Sequence, residues 1–402
     1  MKKDRWLIAA TAGRWQVHSI IEAKKIGLNV LAIDGDVDAE GFKYADKSLH
    51  LDINDHDNIL RQLKLLKINF CGVSSFTSDA GMMLAAKIRE EFSLPGPNIE
   101  VTRNLTQKSL QRLKWSELNV PSPNFKVFED KKSALTYLQQ TKFPKIVKPI
   151  DGAGSRGVTK IERNSDDLNF CIDEAFKFSA SNQIIIEEYM SGIEFAIEVL
   201  IVKKKVYILS ITEKLKVEGT NGTVAQELFT SNRSIKINSL IEETVKKAFL
   251  ALNYENGPGH AELILMDDDS VGMVEVAGRG GGFMVSDKLV PFASGINYAS
   301  LICRLSINDA IDKLYLKKKN VVLRFFPSVQ GKIKYISGFK EASMIDGVDC
   351  GSFVKIGQKI TNALTDGDRL GYILSHSYSL EEALALADTA ESLIKFDIED
   401  LK

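Results

Sequence analysis

Apolar positions follow two alternating patterns along the first hundred residues. Trp6–Ala10 and Val30–Ile33 are compact apolar runs, the second ending at Asp34. Between them, Val17, Ile20 and Ile21 fall at helical spacing within Gln16–Ile26. The order then repeats, with Asp55–Leu66 as a helix, Gly72–Ser75 as a strand and Asp79–Phe92 as a helix. Leu94-Pro95-Gly96-Pro97 closes the series. Strands separated by helices predict a doubly wound parallel sheet.

The pattern changes near Thr106. Lys108–Leu118 reads as a helix that stops before Val120-Pro121-Ser122-Pro123. Helices are expected over Lys131–Gln140 and Ser165–Ala180, and strands over Lys145–Lys148, Ile184–Glu188 and Glu194–Val202. Ala261–Met266 and Val271–Val276 form a strand pair around Asp267-Asp268-Asp269. This is an α+β pattern with antiparallel hairpins. Beyond Asn320, strands are expected at Val321–Phe326, Gly331–Gly338, Ser352–Val354 and Leu370–Ser375. A last helix, Ser379–Ile394, opens with Ser379 and Glu382 at capping-box spacing.

A length of 402 residues exceeds one ordinary core and implies two or three domains. The formal net charge of −1 excludes a whole-protein positive field, so no nucleic-acid partner is expected; a local basic site, which is all that phosphate ligands need, stays open. The four cysteines, Cys71, Cys171, Cys303 and Cys350, form no C-x-x-C and stand near no histidine at zinc-ligand spacing. They read as reduced thiols of a cytoplasmic protein. The first apolar run stops at Thr11-Ala12-Gly13, too short for a secretory signal. No apolar stretch approaches the ~20 residues of a membrane span.

Three segments carry chemistry. In the first, an extended run leads into Lys148-Pro149-Ile150-Asp151-Gly152-Ala153-Gly154-Ser155-Arg156-Gly157-Val158. Glycines let backbone N–H groups approach phosphate oxygens closely, and Lys148 and Arg156 add charge. The G-K-[ST] ending of a P-loop is absent. A glycine-rich hairpin turn is the alternative. The second segment, Ile184-Ile185-Ile186-Glu187-Glu188-Tyr189-Met190-Ser191-Gly192-Ile193-Glu194, is a buried strand ending in acids. Its backbone could pair with an adenine edge and Glu194 with a ribose. Taken alone it fits solvated acids at a strand end better. In the third, Glu262 and Glu275 each sit among apolar residues of adjacent strands, and Arg279 follows within Gly278-Arg279-Gly280-Gly281-Gly282. Carboxylates in such surroundings need a partner, and Mg²⁺ bridging nucleotide phosphates is one. A Glu275–Arg279 salt bridge is the other.

In order and spacing, the three segments together resemble the ATP-grasp superfamily, over nearly the whole chain. The resemblance implies an α/β and α+β multidomain fold. Residues 1–105 would form the N-terminal doubly wound domain. Residues 106–318 would form the ATP-grasp domain of two α+β lobes, with a lid lobe at about 122–200. Residues 319–402 would form a small β-rich C-terminal α+β domain. ATP and Mg²⁺, or Mn²⁺ in its place, are the implied cofactors. Lys108 and Lys148 would hold phosphates and the adenine side. Gly154, Ser155, Arg156 and Gly157 would cover the phosphates as a lid. Glu187 and the backbone of Glu188 and Met190 would take adenine, and Glu194 the ribose. Lys214 matches a further phosphate lysine. Glu262 and Glu275 would bind the metal, and Arg279 would steady an acyl phosphate or tetrahedral intermediate.

One departure stands out. The family's asparagine two residues after the second glutamate is Ala277 here, and alanine ligates no metal. The usual acidic or amide neighbour of Lys108 is Gln107. Gly331-Lys332-Ile333, Gly357-Gln358-Lys359 and Asp368-Arg369-Leu370-Gly371-Tyr372-Ile373 resemble the tail of amino-acid ligases and related carboxylate–amine ligases. Glu227 resembles a position near their amine acceptor. The expectation is an ATP-dependent ligase that joins small-molecule carboxylate and amine substrates through an acyl phosphate, with a homodimer common among relatives. Activation of bicarbonate, ATP binding without catalysis, and nicotinamide chemistry on the first domain are the rivals. The last is disfavoured because Thr11-Ala12-Gly13-Arg14-Trp15 lacks a glycine trio.

Overall fold

The structure, a computed structural model, describes residues 5–152, 156–163, 167–216, 225–360 and 368–400. The chain opens with β1 (Trp6–Ala9), β2 (Asn29–Asp34), β3 (Lys47–His50) and β4 (Phe70–Ser74). They form one parallel sheet in the order β3-β2-β1-β4. Val30–Ile33 of β2 is fully buried, as expected for a strand covered on both faces. Strand order reverses between β1 and β4, so the crevice beyond their C-terminal ends is the place for a ligand. Helix Ala80–Phe92 begins there, directly after Asp79.

Next come β5 (Phe125–Phe128), β6 (Lys145–Pro149), β7 (Thr159–Ile161) and β8 (Ile184–Glu188), an antiparallel sheet in the order β5-β8-β6-β7. Helices Lys131–Gln140 and Leu168–Lys177 cover it. Asp130 and Asp167 cap them, accepting from Ser133 N–H at 2.8 Å and Phe170 N–H at 3.0 Å.

The largest sheet uses β9 (Ile193–Val202), β10 (Lys205–Lys216), β11 (Ala225–Thr230), β12 (Gly257–Leu265) and β13 (Val271–Ala277). The C-terminal stretch adds β14 (Asn320–Phe326), β15 (Gly331–Ser337), β16 (Val348–Ser352), β17 (Lys359–Ile360), β18 (Gly371–Ser377) and β19 (Lys395–Glu399). Eight strands join in the order β13-β12-β9-β10-β11-β14-β18-β16, and β17-β15-β19 form a separate sheet. Phe195, Ile197, Val199 and Ile201 of β9 pack toward helix Ile235–Ala251, while Ala196 and Leu200 belong to a core on the other face.

Several expectations differ in detail. The expected lid lobe reached about residue 200, but β9 pairs with β12 and β10 at the centre of the large sheet. The strand expected at Ser352–Val354 lies at Val348–Ser352, where it pairs with β18. The sequence reading missed β10, β11 and helix Ile235–Ala251. The capping position at Ser379 is real, with Glu382 N–H donating to its Oγ at 3.1 Å. The reciprocal half is absent, because the Glu382 carboxylate accepts from Ser377 at 2.5 Å instead.

Candidate active site

A cleft of about 880 Å³ lies between the β5–β8 sheet and the β9–β13 end of the large sheet. Lys108, Lys148, Arg156, Gly192, Glu194 and Met190 line it, as do Lys214, Glu262 and Glu275. The structure thus gathers in one place residues that the sequence separates widely. Gly154 and Ser155 lie outside the described residues. Gly157 has φ +70, the left-handed region that favours glycine.

Lys148 projects from β6 onto Glu187 of neighbouring β8, at 2.6 Å. Arg112 approaches the other oxygen of Glu187 at 2.8 Å, as an ion pair without hydrogen-bond alignment. Arg112 has no solvent exposure and also donates to Val274 O at 2.6 Å. Burial opposes the charge on Glu187, but Arg112 and Lys148 outweigh it and lower the pKa. The same burial lowers the pKa of Lys148 despite its carboxylate partner. Glu187 was expected to meet adenine; its carboxylate is instead shared between two cations. Arg112 was missed, although Lys108, Gln111, Arg112 and Trp115 share one helix face and are all buried.

Lys108 is fixed by its backbone N–H, which donates to Ile150 O at 2.9 Å. Its ammonium reaches Gly152 O at 2.7 Å and Glu275 at 2.9 Å. Burial opposes its charge, and Glu275 beside it raises its pKa overall. Lys214 holds Glu194 at 2.5 Å and Glu262 at 2.6 Å, and Lys216 also pairs with Glu194. Glu262 is half-buried, and desolvation opposes its charge, yet Lys214 and His260 keep its pKa well below the usual carboxylate range. His260 bonds Glu198 at 2.5 Å. Burial disfavours the imidazolium, but the Glu198 carboxylate prevails and pushes its pKa up to about 9.

Glu262 and Glu275 stand opposite each other across β12 and β13. Among the described residues, no group of three or more His, Cys, Asp or Glu side chains is placed to hold a metal. A cation there would draw further oxygens from phosphates and water. Mg²⁺ binds in that way, through one or two carboxylates plus substrate phosphates, so the residues present fit it.

Arg279 does not pair with Glu275. Its Nε and Nη2 donate to both carboxylate oxygens of Asp79, at 2.8 and 2.7 Å, and its Nη1 donates to Gly280 O at 3.0 Å. Asp79 comes from the crevice at the end of the parallel sheet. Burial opposes the charge on Asp79, but the Arg279 guanidinium outweighs it and lowers the carboxyl's pKa. The sequence reading missed Asp79 as a partner. Glu227 is also resolved: it is buried and ion-paired with Arg324, which in turn holds Asp388 at 2.8 Å.

Residues 141–287 match the ATP-grasp domain family, and residues 324–399 match the L-amino acid ligase C-terminal domain 2. The chain is 24% identical over 383 residues to a formate-dependent phosphoribosylglycinamide formyltransferase of Prochlorococcus marinus (strain MIT 9515), spanning 94% of this chain and 93% of that one. The crystal structure of an L-amino acid ligase from Bacillus licheniformis superposes with a TM-score of 0.83 at 22% identity, covering all of both chains. That of phosphoribosylglycinamide synthetase from Anaerococcus prevotii gives 0.77 at 21%, covering 98% of this chain and 99% of the other. These structures share the fold described above.

Proposed function

We propose that this chain, an ATP-grasp protein with an L-amino acid ligase-type C-terminal domain, is an ATP-dependent ligase that forms carbon–nitrogen bonds. It joins a small-molecule carboxylate to an amine through an acyl phosphate, releasing ADP and phosphate. One observation carries the reading. Two buried lysines, Lys108 and Lys148, share a cleft with a facing pair of carboxylates, and Lys108 contacts one of them, Glu275.

In this account residues 1–105, 106–318 and 319–402 act as three units, with the β5–β8 sheet as the lid. The backbone of Glu188 and Met190 takes adenine, and Glu194 takes the ribose. Glu187 holds Lys148 and Arg112 in place beneath it. Glu262 and Glu275 would hold Mg²⁺, or Mn²⁺ in its place, which would neutralise charge on phosphate oxygens. Lys108, Lys148 and Lys214 supply further positive charge. A carboxylate oxygen attacks the γ-phosphorus in line, and the bond to ADP breaks. The amine then attacks the acyl carbon and phosphate leaves. Arg279, oriented by Asp79, stabilises the oxyanion of that second step. Closure of the loop around Arg156 and Gly157 excludes water, which would otherwise hydrolyse the acyl phosphate. The four cysteines form no disulfide among the described residues, which suits a cytoplasmic setting. A homodimer is compatible with this reading.

The test is phosphate release with paired amino acids and small carboxylates in the presence of Mg²⁺. Glu275→Gln should abolish ADP formation, and Arg279→Ala serves as a second control. Near-normal turnover of Glu275→Gln would sink the metal assignment. Bicarbonate-dependent ADP release without an amine would favour bicarbonate activation instead.

A further inference from the structure

Glu198 has no part in the scheme above, yet it touches both halves of the site. It lies on β9 and is 1% exposed. Its Oε2 accepts from the N–H of Gly281 at 3.0 Å. Its Oε1 pairs with His260 Nδ1 at 2.5 Å, directly across the β9–β12 ladder. The other ring nitrogen, Nε2, lies 3.5 Å from Glu262 Oε1. Gly281 is two residues beyond Arg279. One carboxylate therefore connects the turn that carries Arg279 to the strand that carries Glu262.

The surroundings argue that this arrangement is specific. Glu198 lies between Ala196 and Leu200 of the same strand, both in the apolar core. A carboxylate in such a place is costly unless its oxygens are hydrogen-bonded, and here both are. Gly281 admits no other residue without movement, because a Cβ would run into Glu198 Oε1. A carboxylate on one imidazole nitrogen fixes the ring's orientation and so aims the other. That other nitrogen faces Glu262.

We propose that Glu198 is a positioning residue that, through His260, holds Glu262 in the geometry for a divalent cation and ties it to the Arg279 turn. The proposal rests on the assignment of Glu262 as a metal carboxylate and of Arg279 as the oxyanion donor. Outer partners of metal ligands typically change metal affinity 10- to 100-fold when replaced, which sets the size of the effect.

The test compares wild type with Glu198→Gln and His260→Asn. Glutamine keeps the shape and one acceptor oxygen but cannot serve both donors as an acceptor. Asparagine keeps a donor near the Nδ1 position but cannot reach Glu262. ADP is titrated calorimetrically with and without Mg²⁺, Mg²⁺ is titrated into the ADP-bound protein, and ADP release is followed at varied Mg²⁺. Metal-free ADP affinity should stay within about twofold of wild type for both variants. The Mg²⁺ concentration for half-saturation should rise about tenfold or more, with a fall in kcat. Wild-type Mg²⁺ dependence in folded variants, with only a lower Tm, overturns the proposal. Should Glu198→Gln fail to fold, the Mg²⁺ dependence of His260→Asn decides it in the same way. A wild-type protein that binds no ADP at all overturns the nucleotide reading of the cleft, and this proposal with it. That outcome is distinct from a variant that simply matches wild type.

Discussion

Asp79→Asn tests whether the first parallel sheet takes part in the chemistry through Arg279. In the protein the Asp79 carboxylate accepts two parallel bonds from the guanidinium, at 2.8 and 2.7 Å. Asparagine offers only one acceptor oxygen and no charge, so the guanidinium loses its fork-to-fork seat. Two unit charges about 4 Å apart interact by about 4 kcal/mol at an effective dielectric of 20. The Asp79 side chain is 31% exposed, so solvent screens part of this. A loss of about 1–2 kcal/mol of orienting energy is the reasonable magnitude after that discount. Arg279 acts on the oxyanion in the account above, so the loss should fall on kcat, by about 5- to 30-fold. KM for ATP should change little, because neither side chain lines the cleft that Glu188, Met190 and Glu194 border. Steady-state ADP release at saturating ATP reads kcat, and varied ATP reads KM. A kcat within twofold of wild type refutes the reasoning. So does a raised KM for ATP with kcat unchanged.

Two further outcomes concern stability. Glu187→Ala leaves Arg112 and Lys148, with side chains 0% and 6% exposed, without their carboxylate. Denaturant unfolding should show a loss of about 3–5 kcal/mol, the usual cost of breaking a buried ion cluster from one side. A loss under about 1 kcal/mol would contradict the cluster. Burial pushes the Asp287 carboxyl up from 3.8 to about 7, with Lys288 opposing. A group whose folded pKa is raised costs nothing while protonated in both states, and its cost grows as pH rises from about 4 to about 7. Asp287→Asn should therefore raise Tm at pH 8 and change it little near pH 4. An equal shift at both pH values would contradict the burial argument.

The sequence discloses whatever is local. Lys148 and its glycines, the acids that end β8, and the glutamates of β12 and β13 each sit in a short segment whose pattern is visible in one dimension. Their order along the chain then sufficed for the resemblance. The pairings that orient them are not local. Asp79 and Arg279 are 200 residues apart, and Arg112 reaches Glu187 of β8 from helix Lys108–Glu117. Only packing joins them. Glu227 shows the same limit in reverse, since nothing near it announces Arg324. Some misses were readable. Helix Ile235–Ala251 places Ile237, Ile241, Val245, Ala248 and Phe249 at helical spacing, and Ser234 caps it through Ile237 N–H. In β10 only Val206–Leu209 is a continuous apolar run; Ser210, Thr212, Glu213 and Lys214 interrupt the rest and masked the strand.

The central claim is an acyl phosphate, formed in this cleft from ATP and a carboxylate. Labelling both carboxylate oxygens of an accepted substrate with ¹⁸O tests it directly. When the amide forms, one ¹⁸O should appear in each phosphate released, and the nucleotide product should be ADP. Amide formation with unlabelled phosphate, or with AMP as the nucleotide product, would contradict the account.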